Sequence, residues 1–345
     1  MNIEICDYKI NPIIWESFVS QMSLAKHILK SNPKILIAVS GGPDSMFLTY
    51  LIHKYSQIFT LEPIVCYINH NIRPKQEIEK EILLIKNFTS TLKIPFITAK
   101  INKSKKTDEN TLRNERYKKL LTIAKKSGCS IILTGHTKND VVETFLFNLF
   151  RGTGIKGLSG ISSFREIVFE EKIFYLLRPL IRISKEDILD ILAKLKIKFS
   201  VDKTNLKSVY SRNFIRNVIL KKVKKFFCKY DNNIINTVDL LSEVQNYISF
   251  QTDVALKKVV KIINNQNIYL DFRNFLMYNS LIQKEVLHRI LDFLLTRNRV
   301  SFKSSYSKII NKLLHFFNTK NTIFEINKKL IVKKQKTNIV FKITK

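Results

Sequence analysis

The chain has 345 residues, 45% of them apolar, with 24 Phe and 12 Tyr, so it can bury the cores of two or three domains and is not a disordered tail. Its 59 Lys and Arg against 28 Asp and Glu give a formal net charge of +31, which fits a polyanionic partner and coexists with a plainer Lys-rich codon bias. Cys6, Cys66, Cys129 and Cys228 form no CxxC pair, no apolar run approaches the roughly 20 residues of a membrane span, and the N-terminus lacks a secretory pattern, so a disulfide framework, a cysteine-based metal site and a membrane protein are all disfavoured. The expectation is a soluble, intracellular protein.

Four short apolar runs mark the first half: "KILIAV" (34–39), "PIVCYINH" (63–70), "PFITAKI" (95–101) and "SIILTGH" (130–136). Helical patterns lie between them, beginning at "MFLTYLIHKY", "EIEKEILLIKNFTSTL" and "ENTLRNERYKKLLTIAKK". This alternation predicts an α/β unit, a parallel sheet with helices on both faces, whose ligands bind at the carboxyl edge of the strands. Three polar tips, "SGGPDS", "NH" and "TGH", would then share one rim. A fifth run (173–180) precedes "SKEDILDILAKLKI", where Ser184 and Asp187 have capping-box spacing. From about 210 the pattern turns helical and basic, which places a boundary near 215–250. The remainder predicts helices at "SLIQKEVLHRILDFLL" and "SYSKIINKLLHFF", then a terminal hairpin. From Lys320 to Lys345 there are eight lysines against the single acid Glu325.

Five stretches carry chemistry. "SGGPDS" (40–45) at a strand end can turn its amides outward and cradle phosphate at a helix start, with Ser40 and Ser45 as hydroxyl donors. It lacks the Lys of a Walker loop. Asp44 inside an anion cradle makes sense if a cation such as Mg²⁺ binds there too. His136, Asp140, Glu143 and Thr144 follow at i, i+4, i+7 and i+8, so the last three share a face of a helix starting near Thr137. They suit Mg²⁺ or substrate, or are simply an acidic helix start that the dipole favours. Arg113 and Arg116, at i, i+3, suit phosphate or carboxylate or a solvated basic face. "VDKTNLKSVYSRNFIRNVI" brings Asp202, Thr204, Asn205, Arg212, Asn213 and Arg216, in turn chemistry or a substrate loop. "GTGIKG" (152–157) matches a dinucleotide fingerprint, but a helical pattern precedes it where a strand is required, so it is read as a loop.

Together these motifs resemble a known family. "SGGPDS" resembles the PP-loop of the N-type ATP pyrophosphatases, and "INHNIRP", "LRNERYKKL", "TGHTKNDVVETFLFNLFRGTGIKGLSGI", "LLRPLIRISKEDI" and "VDKTNLKSVYSRNFIRNVI" resemble the tRNA(Ile)-lysidine synthetase family. The likeness covers about 20–220 and continues more weakly beyond. It implies a catalytic domain over 1–215, a basic helical linker over 216–250 and a small α+β tRNA-binding domain over 251–345. It also implies a cytoplasmic ligase, or a stromal one if plastid-encoded, and it admits a homodimer.

The implied reaction has two steps. ATP activates C2 of the cytidine at the first anticodon position of tRNA(Ile) with a CAU anticodon, releasing pyrophosphate. Free L-lysine then attacks C2 and expels AMP, and the codon read changes from AUG to AUA. Ser40, Gly41, Gly42, Pro43, Asp44 and Ser45 match the ATP-binding loop, with Asp44 toward Mg²⁺. Asp44, Arg113, Arg116, His136, Asp140 and Glu143 match the catalytic set, and Asp202, Asn205, Arg212, Asn213 and Arg216 match a substrate- and tRNA-facing segment. Two alternatives stand beside this reading. One is another PP-loop tRNA-modifying enzyme, although the chain lacks the paired cysteines of a thiolase and a glutaminase nucleophile. The other is a non-catalytic basic RNA-binding protein.

Overall fold

Asn11 and Pro12 open the first helix, α1 (Pro12–Ser23): the Asn11 side chain accepts from the Ile13 N–H at 2.9 Å, and proline gives up no needed donor there. A computed structural model describes residues 10–71, 74–101, 109–200, 211–264, 266–298, 305–327 and 329–343. After α1 come α2 (Lys26–Ser31), β1 (Lys34–Val39), α3 (Pro43–Ile58), β2 (Glu62–Asn69), α4 (Lys75–Thr91), β3 (Phe96–Lys100) and α5 (Glu109–Ser127). Next are β4 (Ile131–Thr134), α6 (Lys138–Phe150), α7 (Ile155–Leu158), β5 (Phe164–Phe169), β6 (Lys172–Leu177) and α8 (Lys185–Lys194).

These strands form one sheet in the order β3-β2-β1-β4-β6-β5. The first five are parallel; β5 runs antiparallel to β6. Strand alternation sorts β1 between two layers. Ile35, Ile37 and Val39 pack with Phe18, Phe47, Leu51, Ile188 and Leu192 on one face. Leu36 packs with Cys66, Ile132, Leu120, Leu121 and Ala124 on the other. Cys66 and Cys129 are buried thiols, which burial pushes up to about 12 and about 11, so they act as small apolar residues. Strand order reverses between β1 and β4, and that is where an open α/β sheet leaves a crevice at its carboxyl edge.

The hairpin β5–β6 has no counterpart in the sequence reading, which places only the second of its strands. Its turn is Glu170–Glu171, with φ of +46° and +64°. Two-residue turns of that hand normally carry Asn-Gly. With two glutamates there, and a largely exposed edge strand, the usual markers are missing. The rejected dinucleotide match at Gly152–Gly157 does follow a helix, α6, and runs into α7.

A four-residue helix, α9 (Ser211–Phe214), continues through a π-helical segment, Ile215–Ile219, into α10 (Leu220–Phe226) and then α11 (Tyr230–Val259). The chain divides into compact units Met1–Ser242 and Glu243–Lys345, where the sequence reading places breaks at 215 and 250. Ile215, Leu220, Ile235 and Val238 are buried with residues of α6, so the basic stretch after 215 packs as part of the first unit.

The second unit contains the rest of α11, β7 (Val260–Asn264), β8 (Asn267–Asp271), α12 (Phe272–Leu276), α13 (Ser280–Asn298), α14 (Tyr306–Phe317), β9 (Ile323–Asn327), β10 (Leu330–Lys334) and β11 (Asn338–Ile343). Its sheet is antiparallel in the order β7-β8-β11-β10-β9, so the expected terminal hairpin is extended by the β7–β8 pair. No helix among the described residues is long and apolar enough to cross a membrane.

Ser184 caps α8 as its spacing predicts: its hydroxyl accepts from the Asp187 N–H at 3.1 Å and donates to the Asp187 carboxylate at 2.6 Å. The cap fixes the start of the helix on which Lys185 sits. Ser184→Ala is expected to lower stability by about 1 kcal/mol, measured as a shift in the urea midpoint with unchanged slope.

Candidate active site

A cavity of about 280 Å³ opens at the strand-order reversal. Three strand ends supply it. The loop after β1 contributes Ser40, Gly42, Asp44 and Ser45; β2 contributes Tyr67 and Ile68, with His70 just beyond; β4 ends in Thr134, Gly135 and His136. Arg116 and Leu120 from α5 and Asp140 from α6 complete the wall. The three polar tips expected from the sequence do converge here.

The loop Ser40–Ser45 is held from inside. The Ser45 hydroxyl accepts from the Ser40 N–H at 3.2 Å and donates to the Gly42 carbonyl at 2.9 Å. Gly41 has φ +79°, a conformation that favours glycine. Pro43 occupies the first position of α3, where no amide donor is needed. The loop and the first turn of α3 line the cavity, an arrangement suited to anionic phosphate. Gly135 is required for a different reason: a Cβ there would sit 3.1 Å from the Asp44 carbonyl carbon and oxygen.

Helix α6 begins at Thr137. The Asp140 carboxylate accepts from the Thr137 N–H at 2.7 Å and from its hydroxyl at 3.0 Å. Asp44 lies 3.6 Å from Lys185 through one oxygen, while the other is buried without a partner among the described residues. Burial pushes the Asp44 carboxyl above its usual range; Lys185 pulls it back and Asp140 adds to the rise. An orphaned carboxylate oxygen beside a second acid suits a magnesium ion delivered with nucleotide phosphates, since such ions take one or two carboxylates. Among the described residues no group of three or more His, Cys, Asp or Glu could hold a metal alone.

Glu143 and Arg216 form a bidentate pair, Nε to Oε1 at 2.6 Å and Nη2 to Oε2 at 2.7 Å. Burial raises the Glu143 carboxyl and the guanidinium pulls it down, while the pair holds Arg216 firmly charged. Both Glu143 oxygens are therefore engaged, tying α6 to the π-helical segment. Such segments often occur at functional sites.

Cations cluster around Tyr117, beside the Arg116 that lines the cavity. Arg178, at the end of β6, is 4% exposed; it donates to the Ser162 carbonyl, and its Nε is buried without a partner among the described residues. Arg113 and Arg116 lie 5.8 and 5.5 Å from the Tyr117 ring. Burial would raise the Tyr117 hydroxyl, but Arg178, Arg116 and Arg113 overcome it and lower it. Burial and the same guanidiniums push His136 down to about 3, so its imidazole is neutral at pH 7. Its Nδ1 lies 2.9 Å from the Thr134 hydroxyl.

The structure thus gathers Ser40, Gly42, Asp44, Ser45, Arg116, His136 and Asp140 around one cavity. Arg113 stands beside it across the Tyr117 ring, and Glu143 and Arg216 stand behind Asp140. Arg212 lies 5.3 Å from the Phe147 ring, which Arg151 also faces at 5.1 Å, and Asn213 is on α9; neither Arg212 nor Asn213 lines the cavity. Asp202 and Asn205 lie outside the described residues. Arg178 and Lys185 were not singled out from the sequence. The signal for Arg178 was a charged residue at the end of an apolar run, "FYLLRPL"; for Lys185, it was its place beside a helix cap.

A PP-loop at a strand-order reversal, with an acid-containing helix start facing it, defines a PP-loop ATP-binding enzyme, and residues 16–223 match the PP-loop domain family. The U34-tRNA thiolase of Methanococcus maripaludis, solved with its iron–sulfur cluster, shares the fold at TM-score 0.52 and 20% identity, over 66% of this chain and 80% of that one. The chain belongs to the tRNA(Ile)-lysidine synthase family. It is 32% identical to the chloroplastic tRNA(Ile)-lysidine synthase of Gracilaria tenuistipitata var. liui, over 79% of this chain and 89% of that protein. It is 30% identical to the Clostridium tetani tRNA(Ile)-lysidine synthase over 66% of this chain, and 28% identical to that of Thermotoga maritima over 77%. The matches span 48% and 64% of those bacterial proteins.

Two outcomes follow from the geometry. Gly135→Ala brings a methyl to 3.1 Å from the Asp44 carbonyl, so the backbone must shift by a few tenths of an ångström; it should cost about 1–3 kcal/mol and weaken ATP binding, read by denaturant titration and calorimetry. Asp44→Asn should stabilise the ligand-free protein near pH 7, because the raised carboxyl makes its ionised form a liability in the folded state. The raised direction sets the sign: the difference is absent below the ordinary carboxyl value of 3.8 and grows as pH rises through the folded one. Melting curves of both proteins from pH 3.5 to 7.5 check this.

Proposed function

We propose that this chain forms lysidine on tRNA(Ile), using ATP and free lysine. One observation carries the reading: an intact SGGPDS loop, with the orphaned Asp44 oxygen and Asp140, shares a single cavity with His136 and Arg116. Family membership supplies the substrate class, because the relatives are named for tRNA(Ile) and lysidine.

In this reading the loop amides, with Ser40 and Ser45, hold the pyrophosphate portion of ATP. Asp44, beside Asp140, would hold magnesium, which when bound neutralises phosphate charge and helps pyrophosphate leave. Arg116, with Arg113 and Arg178 behind it, stabilises negative charge at the phosphate undergoing transfer. The cytidine must leave its stack to reach the cavity, as bases do in enzymes acting on them. Its C2 oxygen attacks the α-phosphorus; pyrophosphate departs and the base is left adenylated.

The lysine ε-amine attacks C2 as a free base, the C2–O bond breaks and AMP leaves with that oxygen, so the amine's proton must pass to a nearby acceptor. Asp140 suits the cationic substrate. His136 is neutral and therefore able to accept a proton, although the guanidiniums make the imidazolium costly; bound phosphates would offset that field. Glu143, paired with Arg216, serves placement of α6 more readily than proton transfer. The net charge of +31 suits tRNA, with an affinity that falls steeply as salt rises.

The test mixes purified protein, Mg·ATP, labelled lysine and a tRNA transcript with a CAU anticodon, then separates the digested nucleosides. The expected result is a labelled modified cytidine that vanishes when the first anticodon base is changed. Asp44→Asn should abolish AMP and pyrophosphate release and leave tRNA binding intact. AMP release without lysine incorporation would instead indicate a different nucleophile.

A further inference from the structure

Glu81 is a buried acid that the proposed chemistry does not use. It projects from α4, is 5% exposed, and has one of its oxygens at each of two hydroxyls. Tyr67, on β2, donates to Oε2 at 2.9 Å, and Ser200 donates to Oε1 at 3.0 Å. Ser200 in turn donates its backbone N–H to the Gly41 carbonyl at 2.8 Å. The Glu81 stem also lies directly behind Gly41: a Cβ added there would meet Glu81 Cγ at 3.8 Å and Ser200 Cβ at 3.7 Å.

This chain of contacts bears on the direction of one peptide. A trans peptide points its C=O and N–H to opposite sides. With the Gly41 carbonyl held by Ser200, the Gly42 N–H is turned the other way, and Gly42 lines the nucleotide cavity. The internal bonds from Ser45 reach the Ser40 N–H and the Gly42 carbonyl, not the Gly41 carbonyl, and Gly41 at φ +79° has many other conformations open to it, so the bond from Ser200 sets the direction of this peptide. A buried carboxylate is a strong acceptor for two hydroxyl donors. Tyr67 also lines the cavity, so Glu81 holds a wall residue and the loop through one group.

We infer that Glu81 is a positioning residue for the pyrophosphate loop: through Ser200 it fixes the Gly41–Gly42 peptide with its N–H toward the bound phosphate. The inference rests on the nucleotide reading of the cavity but not on the identity of the nucleophile or the RNA.

Calorimetric titration of the full chain with pyrophosphate and with Mg·ATP tests it, on wild type, Glu81→Ala, Glu81→Gln and Ser200→Ala. Glu81→Ala should raise the pyrophosphate Kd about tenfold, and Glu81→Gln, which keeps one acceptor and can donate to the other hydroxyl, should stay within about threefold of wild type. Ser200→Ala keeps the N–H that binds Gly41 but frees it from Glu81, and should fall between them. A merely structural role would lower the melting temperature and the number of binding-competent sites and leave Kd unchanged. Wild-type Kd in folded Glu81→Ala would overturn the proposal; if that variant does not fold, wild-type Kd in Ser200→Ala would do so. Wild type that binds neither pyrophosphate nor ATP would overturn the nucleotide reading and this proposal with it.

Discussion

The catalytic unit is organised by one close approach of backbone to backbone. Gly135, at the end of β4, leaves no space between itself and the Asp44–Ser45 peptide at the start of α3. Any larger residue would press on the first turn of α3. Because the two segments touch, the phosphate loop and His136 open into the same cavity, and Lys185 at the start of α8 comes within 3.6 Å of Asp44. Two further bonds keep the α6 and α8 starts together: the Ile183 carbonyl accepts from the Lys138 N–H at 3.0 Å, and the Asn139 side chain accepts from the Lys185 N–H at 2.9 Å. Three helix N-termini therefore meet at one rim and add their positive ends to it.

Charge within this frame is segregated. Acids sit along α6 and at the start of α3: Asp44 faces Lys185 and Glu143 faces Arg216, while Asp140 accepts from the Thr137 N–H and hydroxyl. Arginines sit across the cavity around Tyr117, and among the described residues Arg113, Arg116 and Arg178 form no ion pair with a carboxylate. The two walls would serve different parts of one reaction. The acidic wall suits a metal and a cationic substrate; the basic wall suits phosphate. His136 lies between them and is kept neutral by burial and the basic side.

Much of this was legible in the sequence because it rests on local rules. The β1 run followed by SGGPDS, the Ser184 cap and the helix start at Thr137 each depend on a few adjacent residues, and each lies where those residues put it. What escaped depends on contacts between distant segments or on unusual turns. The β5 strand is joined by a Glu-Glu turn in place of Asn-Gly. Arg178 matters only once β6 is placed beside β4. Glu81 is one acid among several in the helical stretch EIEKEILLIKNFTSTL, and only the fold brings it under Gly41. The pairing of Glu143 with Arg216, 73 residues apart, is of the same kind. The family resemblance carried the substrate, which no local rule supplies.

The arginine cluster around Tyr117, which among the described residues forms no ion pair with a carboxylate, also makes occupancy and folding one equilibrium. A ligand that binds the folded chain alone adds stability that grows with its concentration over its Kd. Around these guanidiniums any small polyanion that fits does this, including the pyrophosphate that the proposed reaction would release. Product and substrate then compete for the same stabilising role, and turnover depends on how readily the folded site gives the product up. The melting temperature of this protein becomes a gauge of the anions around it, phosphate buffer among them.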